Sequence, residues 1–226
     1  MGIVIKLTGR VFNSEELINK YADIIAEEAN RGIVVVAGGG DTARRYIEIV
    51  RKLTGREAAA DMLGIWASRL NAMLMMYTLL AKGVNVYLSI PETLQELGEA
   101  YSSSKVIVMG GLQPGQSTTM VSVLAAEYLG IGTVVNCSNI DALYTDDPSK
   151  NPNAVRIEKA RLSEVEGILS REGVRSFAGT YELIDEWALQ IMRRSGISMI
   201  ILDGKDPGKL IKYLKYGTID GTLITP

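Results

Sequence analysis

The succession of apolar runs and turn residues in this 226-residue chain predicts an α/β protein, a three-layer αβα sandwich around a mainly parallel sheet. Three observations carry that expectation. Short β-branched runs alternate with stretches of helical spacing along the chain. Most of these runs end in glycine or small polar residues. No linker, low-complexity segment or repeat of fixed period divides the chain, so residues 1–226 read as a single domain.

Residues 2–7 read as a strand with Lys6 near its end, and Thr8-Gly9-Arg10 as a turn. Residues 13–30 carry Leu17, Ile18, Tyr21, Ile24 and Ile25 on one helical face, stopped by Gly32. The strand 33–37 runs into Gly38, Gly39 and Gly40, and a helix follows over 41–53. Residues 58–82 form the longest helical stretch, apolar nearly all round, which implies burial in the core or in a subunit interface. A strand over 84–90, a short helix over 91–101 and a strand over 105–109 come next. Helices over 120–129, 162–171, 182–194 and 207–216 and strands over 132–137, 198–202 and 222–225 complete the pattern. The polar stretch 144–153 reads as a loop and as a boundary between lobes.

Composition excludes several chemistries. The net charge is −2, from 24 basic and 26 acidic residues, which gives no broad basic surface for nucleic acid. No stretch reaches membrane-spanning length free of charge. A single cysteine, Cys137, allows no internal disulfide and suits a reducing, cytoplasmic setting. The absence of histidine removes the Ser-His-Asp triad, and with one cysteine it leaves no basis for a structural zinc site; no residue is assigned as a metal ligand.

Ligands of open parallel sheets bind at the carboxyl ends of strands. Four such ends here are polar or glycine-rich: 6–10, 38–40, 110–118 and 138–141. Glycine lets a backbone approach a ligand closely, and the helix opening after Gly40 supplies unpaired N–H groups, with Arg44 one turn in. Together these turns favour phosphate chemistry. Each residue also has an ordinary structural use. Lys6 could be a solvated strand-end lysine, and Asp141 an Asx-turn residue. Asp61 could cap the long helix, and Gln113, Gln116, Ser117 and Thr118 could be loop polarity with a helix cap. Tyr144 could cover the core, and Cys137 could be an inert buried thiol.

Six stretches together resemble one family. KLTGR (6–10), GGGDTARRYI (38–47), DMLGIWASRLNA (61–72), GGLQPGQST (110–118), SNIDALYTDDP (138–148) and AGTYELID (178–185) are similar, in order, to the amino-acid kinase superfamily and within it to the archaeal-type UMP kinases. The resemblance implies an amino-acid kinase-like fold. An N-terminal lobe of about residues 1–137 would bind UMP and a C-terminal lobe of about residues 138–226 would bind ATP. It implies transfer of the γ-phosphoryl of ATP to UMP with Mg²⁺, and no tightly bound organic cofactor. Lys6 matches the lysine between donor and acceptor phosphates, and Asp141 the acidic residue that orients it. Gly9, Arg10, Gly40, Arg44, Ser138, Asn139, Tyr144 and Asp147 match the ATP site. Gly39, Asp61, Leu112, Gln113, Pro114, Gly115, Gln116, Ser117 and Thr118 match the UMP site. Feedback inhibition by UTP and a hexamer built from dimers are also implied. The acceptor phosphate is largely a dianion near neutral pH and needs no general base, so the lack of histidine is no obstacle.

The chain departs from relatives in three places. Ala142 stands where many have glycine, residues 178–185 offer no second lysine, and Arg10 occupies a variable turn position. Other kinases of the same fold, acting on isopentenyl phosphate, carbamate or an amino acid, are the competing enzyme reading; the first resemble one another in using a histidine that this chain lacks. A non-catalytic nucleotide sensor is the third.

Overall fold

A computed structural model describes residues 2–146, 148, 151–169 and 184–226. A seven-stranded sheet has the order β3-β2-β1-β4-β8-β9-β7. Its strands are β1 (Ile3–Leu7), β2 (Ile33–Ala37), β3 (Val106–Met109), β4 (Thr133–Ser138), β7 (Lys159–Arg161), β8 (Ser198–Asp203) and β9 (Thr222–Thr225). Five neighbouring strands, β3 to β8, are parallel; β9 pairs antiparallel to β8, and β7 parallel to β9. The short strands β5 (Leu143–Tyr144) and β6 (Arg156–Ile157) form a separate ribbon.

The central strands are buried on both faces, which is why they read as unbroken Val and Ile runs. One face packs on α4 (Leu94–Ser103), α5 (Thr118–Tyr128), α6 (Leu162–Leu169) and α7 (Glu186–Ser195), through Leu97, Val121, Val165 and Met192. The other packs on α1 (Glu15–Glu27), α3 (Glu57–Ala81) and α8 (Pro207–Tyr216), through Tyr21, Met75 and Leu210. These are the three expected layers. Ser14, Thr93, Ser117, Asp185 and Asp206 each accept a backbone N–H at a helix start, a cap that contributes about 1 kcal/mol. Among the described residues no helix is long and apolar enough to cross a membrane.

The expected strand over 84–90 does not form. Val84 and Val86 point into the core, and Val86 makes a single bridge to Val106. Leu88 is 71% exposed, so nothing remains to bury that would extend the pairing. The loop expected over 144–153 begins inside the β5–β6 ribbon, and the short strands β6 and β7 carry no periodicity long enough to announce them. The last residues of the helix expected over 162–171, and the first of that over 182–194, lie outside the described residues.

The turns after β1 and β2 touch backbone to backbone. A Cβ on Gly9 would lie 1.9 Å from the nitrogen of Gly40, and one on Gly38 would lie 2.7 Å from the nitrogen of Gly9. Gly40 itself has φ +66°, and a Cβ there would meet the carbonyl oxygen of Gly9 at 2.5 Å. Gly132, by contrast, is exposed, and a Cβ added there would meet nothing within 4 Å. Gly9→Ala is therefore expected to lower the thermal midpoint by overpacking, a cost of about 1–3 kcal/mol. Gly132→Ala should leave it unchanged or raise it slightly; equal midpoints for the two variants in a thermal melt would contradict this packing.

Candidate functional site

The chain steps from β1 to β2 to β3 in one direction and from β1 to β4 to β8 in the other. The order reverses between β1 and β4, and the crevice at the carboxyl ends of these strands is where such sheets bind ligands. Its floor is a continuous series of contacts. The Thr8 N–H donates to the Cys137 carbonyl at 2.9 Å and the Thr8 hydroxyl to Asn139 Oδ1 at 2.7 Å. Gly38 N–H donates to the Leu7 carbonyl at 2.9 Å. Gly204, after β8, lies so close that a Cβ would sit 2.8 Å from the Ser138 carbonyl oxygen; its own carbonyl accepts from Tyr21 Oη at 3.1 Å.

α2 (Gly40–Thr54) opens at this crevice, with Gly39 at its N-cap and no side-chain cap. Its first-turn amides thus retain the anion-binding capacity of a helix N-terminus. Arg44 is exposed one turn further on, held by Asp41 at 3.2 Å, and Asp41 also accepts from Asn13 Nδ2 at 2.5 Å. Arg10 is exposed in a short 3-10 turn at 9–13.

Lys6 lies on the side of β1 that carries Val4, flanked in register by Val36 and Asn136. It is not the solvated lysine of a strand end. Removal from water lowers its ammonium pKa to about 8, despite some remaining accessible surface at the side chain. Cys137 is buried on the opposite face of the sheet, and desolvation pushes its thiol up to about 12, so it stands neutral at physiological pH and matches the inert reading.

The β3–α5 connection is pinned by α3. Gly111 N–H donates to Ser68 Oγ at 2.7 Å, and Arg69 donates to the Gly111 and Leu112 carbonyls at 3.0 and 3.2 Å. Asp61 Oδ2 accepts from Gly115 N–H at 2.9 Å. Asp61 is therefore not the N-cap of the long helix, because α3 begins a turn earlier at Glu57. Gln113, Pro114 and Gly115 are exposed, while Leu112, Gln116 and Thr118 are half-buried; Gln116 Oε1 is fully buried and has no hydrogen-bond partner among the described residues. Ser117 caps α5 and donates to Asp185 Oδ2 at 2.5 Å, and Asp185 caps α7 with its other oxygen. Asn71 Nδ2 donates to the Gly38 carbonyl at 2.7 Å. Sequence reasoning does not single out Ser68, Arg69, Asn71 or Asp185. For the first three a signal exists, as polar residues inside an otherwise apolar helix.

Beyond β4, Ser138 is buried and Asn139 exposed. Asp141 accepts from Tyr144 Oη at 3.1 Å and faces Arg156 Nε at 3.6 Å. Arg156 continues to Asp220 at 2.8 Å, and Asp220 to Lys209 at 3.4 Å. Asp141 is thus engaged by Tyr144 and Arg156. Asp147 lies outside the described residues. Among the described residues no three Asp, Glu or Cys side chains gather into a metal cage.

A parallel sheet with a ligand crevice at its switch point, walled by a helix N-terminus and a desolvated lysine, defines the class of α/β protein. Residues 1–203 match the model of the amino acid kinase family, and the chain belongs to that family. The uridylate kinase of Pyrobaculum arsenaticum is 44% identical over 225 residues, covering 100% of both chains. That of Sulfolobus acidocaldarius is 39% identical over 232 residues, again across 100% of both. The crystal structure of uridylate kinase from Archaeoglobus fulgidus superposes with a TM-score of 0.87 at 33% identity, covering 99% of this chain and 100% of that one. UMP kinase from Ureaplasma parvum, at 20% identity and a TM-score of 0.84, shares the fold.

The lysine's environment yields a stability test. Its folded pKa of about 8 lies below the 10.5 of a free lysine, so between these values the unfolded chain binds more protons and wild-type stability rises with pH. Lys6→Met lacks that rise. Unfolding at pH 7 and at pH 10 should find the variant as stable as wild type or more so at pH 7, with the difference shrinking at pH 10; a gap that widens would refute a desolvated lysine.

Proposed function

We propose that the protein phosphorylates UMP, moving the γ-phosphoryl group of ATP onto the acceptor phosphate to give UDP and ADP. The observation that carries this reading is similarity over the whole length to archaeal uridylate kinases, 44% and 39% identical, and the glycine turns, helix N-terminus and lysine gathered at one crevice support it. Bound on either side of the Gly9–Gly40 contact, donor and acceptor would meet in line over Lys6. Catalysis then consists of placement and of offsetting like charge. Lys6 would hold its ammonium between the phosphates, whose dianionic charge restores the proton that burial weakens. Gly9, Gly40 and Arg44, with Arg10 at the rim, would hold the donor phosphates through amides and guanidinium groups. Ser138, Asn139, Tyr144 and Asp147 would line the rest of the ATP site, Tyr144 near the base. Asp141, held by Tyr144 and Arg156, would be the acidic residue that orients Lys6. Gly39, Asp61 and residues 112–118 would enclose UMP. Mg²⁺ bound to the ATP phosphates would neutralise developing charge. UTP, which shares the acceptor's base and sugar, would compete for the same enclosure as a feedback inhibitor.

α3 turns Trp66, Leu70, Leu74 and Tyr77 to solvent, at 55%, 61%, 44% and 58% exposure. We assign this face to a homodimer contact, from which a hexamer would be assembled. A monomeric mass in solution would count against it.

Release of ADP, measured against UMP, CMP, isopentenyl phosphate, carbamate and an amino acid, should be fastest with UMP; a better acceptor among the others would overturn the reading. Lys6→Ala should lose at least about 100-fold in turnover, the scale of one electrostatic stabiliser. Because the protonated lysine is the active form, kcat/KM for wild type should fall above pH of about 8. Turnover at saturating substrate should fall only at higher pH, where the bound phosphates no longer hold the proton.

A further inference from the structure

The β3–α5 connection contains no helix or strand between Met109 and Thr118, yet the acceptor site proposed above depends on its shape. What fixes its first residues is Arg69. The side chain is 8% exposed, and its guanidinium donates from Nε to the Gly111 carbonyl and from Nη2 to the Leu112 carbonyl. Its third nitrogen, Nη1, meets Glu92 Oε2 at 2.6 Å, and its Cζ lies over the Trp66 ring, 5.3 Å from the centroid. Neighbouring Ser68 takes the Gly111 N–H. α3 thus grips both the N–H and the carbonyl of Gly111, and the carbonyl of the next residue. A buried cation is costly, and a residue needed only to fill this space would be better served by methionine. A lysine would also fall short, because only the planar fork reaches two carbonyls and a carboxylate at once.

We infer that Arg69 is a positioning residue for the acceptor: it fixes the Gly111–Leu112 backbone so that the following residues close on the acceptor nucleotide. The inference rests on the reading of residues 112–118 as the UMP enclosure. The residues assigned to the ATP side take part in none of these contacts, so the effect is confined to one substrate. With the guanidinium over the Trp66 ring and the side chain 8% exposed, its hydrogen bonds meet little competition from water.

The test is the steady-state kinetics of Arg69→Met, Arg69→Lys and Ser68→Ala, each with a thermal melt and each with both substrates varied. Loss of a charge-assisted hydrogen bond to a carbonyl is felt as about tenfold or more. KM for UMP should rise by that factor in Arg69→Met and only slightly less in Arg69→Lys, while KM for ATP stays within about twofold. Ser68→Ala should move KM for UMP in the same direction by less. A variant that melts earlier but keeps the wild-type KM for UMP shows a purely structural arginine and overturns the inference. Full rescue by lysine overturns it as well, since charge alone would then suffice. Should Arg69→Met not fold, Arg69→Lys and Ser68→Ala still decide. Failure of the UMP reading itself is recognised separately, by wild-type protein that does not phosphorylate UMP.

Discussion

Everything at the crevice depends on two peptide backbones lying in contact with no side chain between them. The turns after β1 and β2 meet where Gly9 faces Gly40. The two strands pair in register from Ile3 with Ile33 to Leu7 with Ala37, so their turns must leave the sheet side by side. The neighbouring strands lie about 5 Å apart, and any Cβ would have to displace the adjoining chain. The contact also orients α2, whose first residue is Gly40 itself. Given that register, the spacing of the two turns and the start of α2 are set by one local constraint.

On this frame the protein places two very different cations. Lys6 is partly stripped of water and holds its proton weakly, an arrangement that costs stability while the ammonium stays charged. Arg69 is fully engaged by two carbonyls, a carboxylate and an indole ring. One cation is short of polar partners, the other is given every partner its geometry allows.

The layers and most elements are legible in the sequence because their signals are periodic and local. β1, β2 and β4 are β-branched runs, and α1 and α5 carry a buried stripe and a capping serine. The crevice turns are legible as well, because glycine at a strand end is itself the message. Where the signal is not local, legibility fails. The run 84–90 looks like a strand, but a strand needs a neighbour along its whole length and only Val86 has one. Asp61 reads as a cap or as a ligand, and the start of α3 at Glu57 removes only the cap. Asp141, Arg156 and Asp220 are far apart in a stretch without periodicity, and their ion pairs exist only once β4, β6 and the turn before β9 have been placed. The apolar circumference of α3 points to burial, and the structure divides it into one face in the core and an opposite face that is bare.

The antiparallel pairing of β9 has a consequence for the order in which the molecule can be completed. β9 follows every other strand along the chain, yet it sits between β8 and β7 in the sheet. β7 therefore leaves the ribosome well before its neighbour exists, and must wait. The first four strands of the sheet's parallel half can pair as they emerge, while β7 has no edge to join until Thr222–Thr225 has been made. Synthesis divides the protein where the sheet does not.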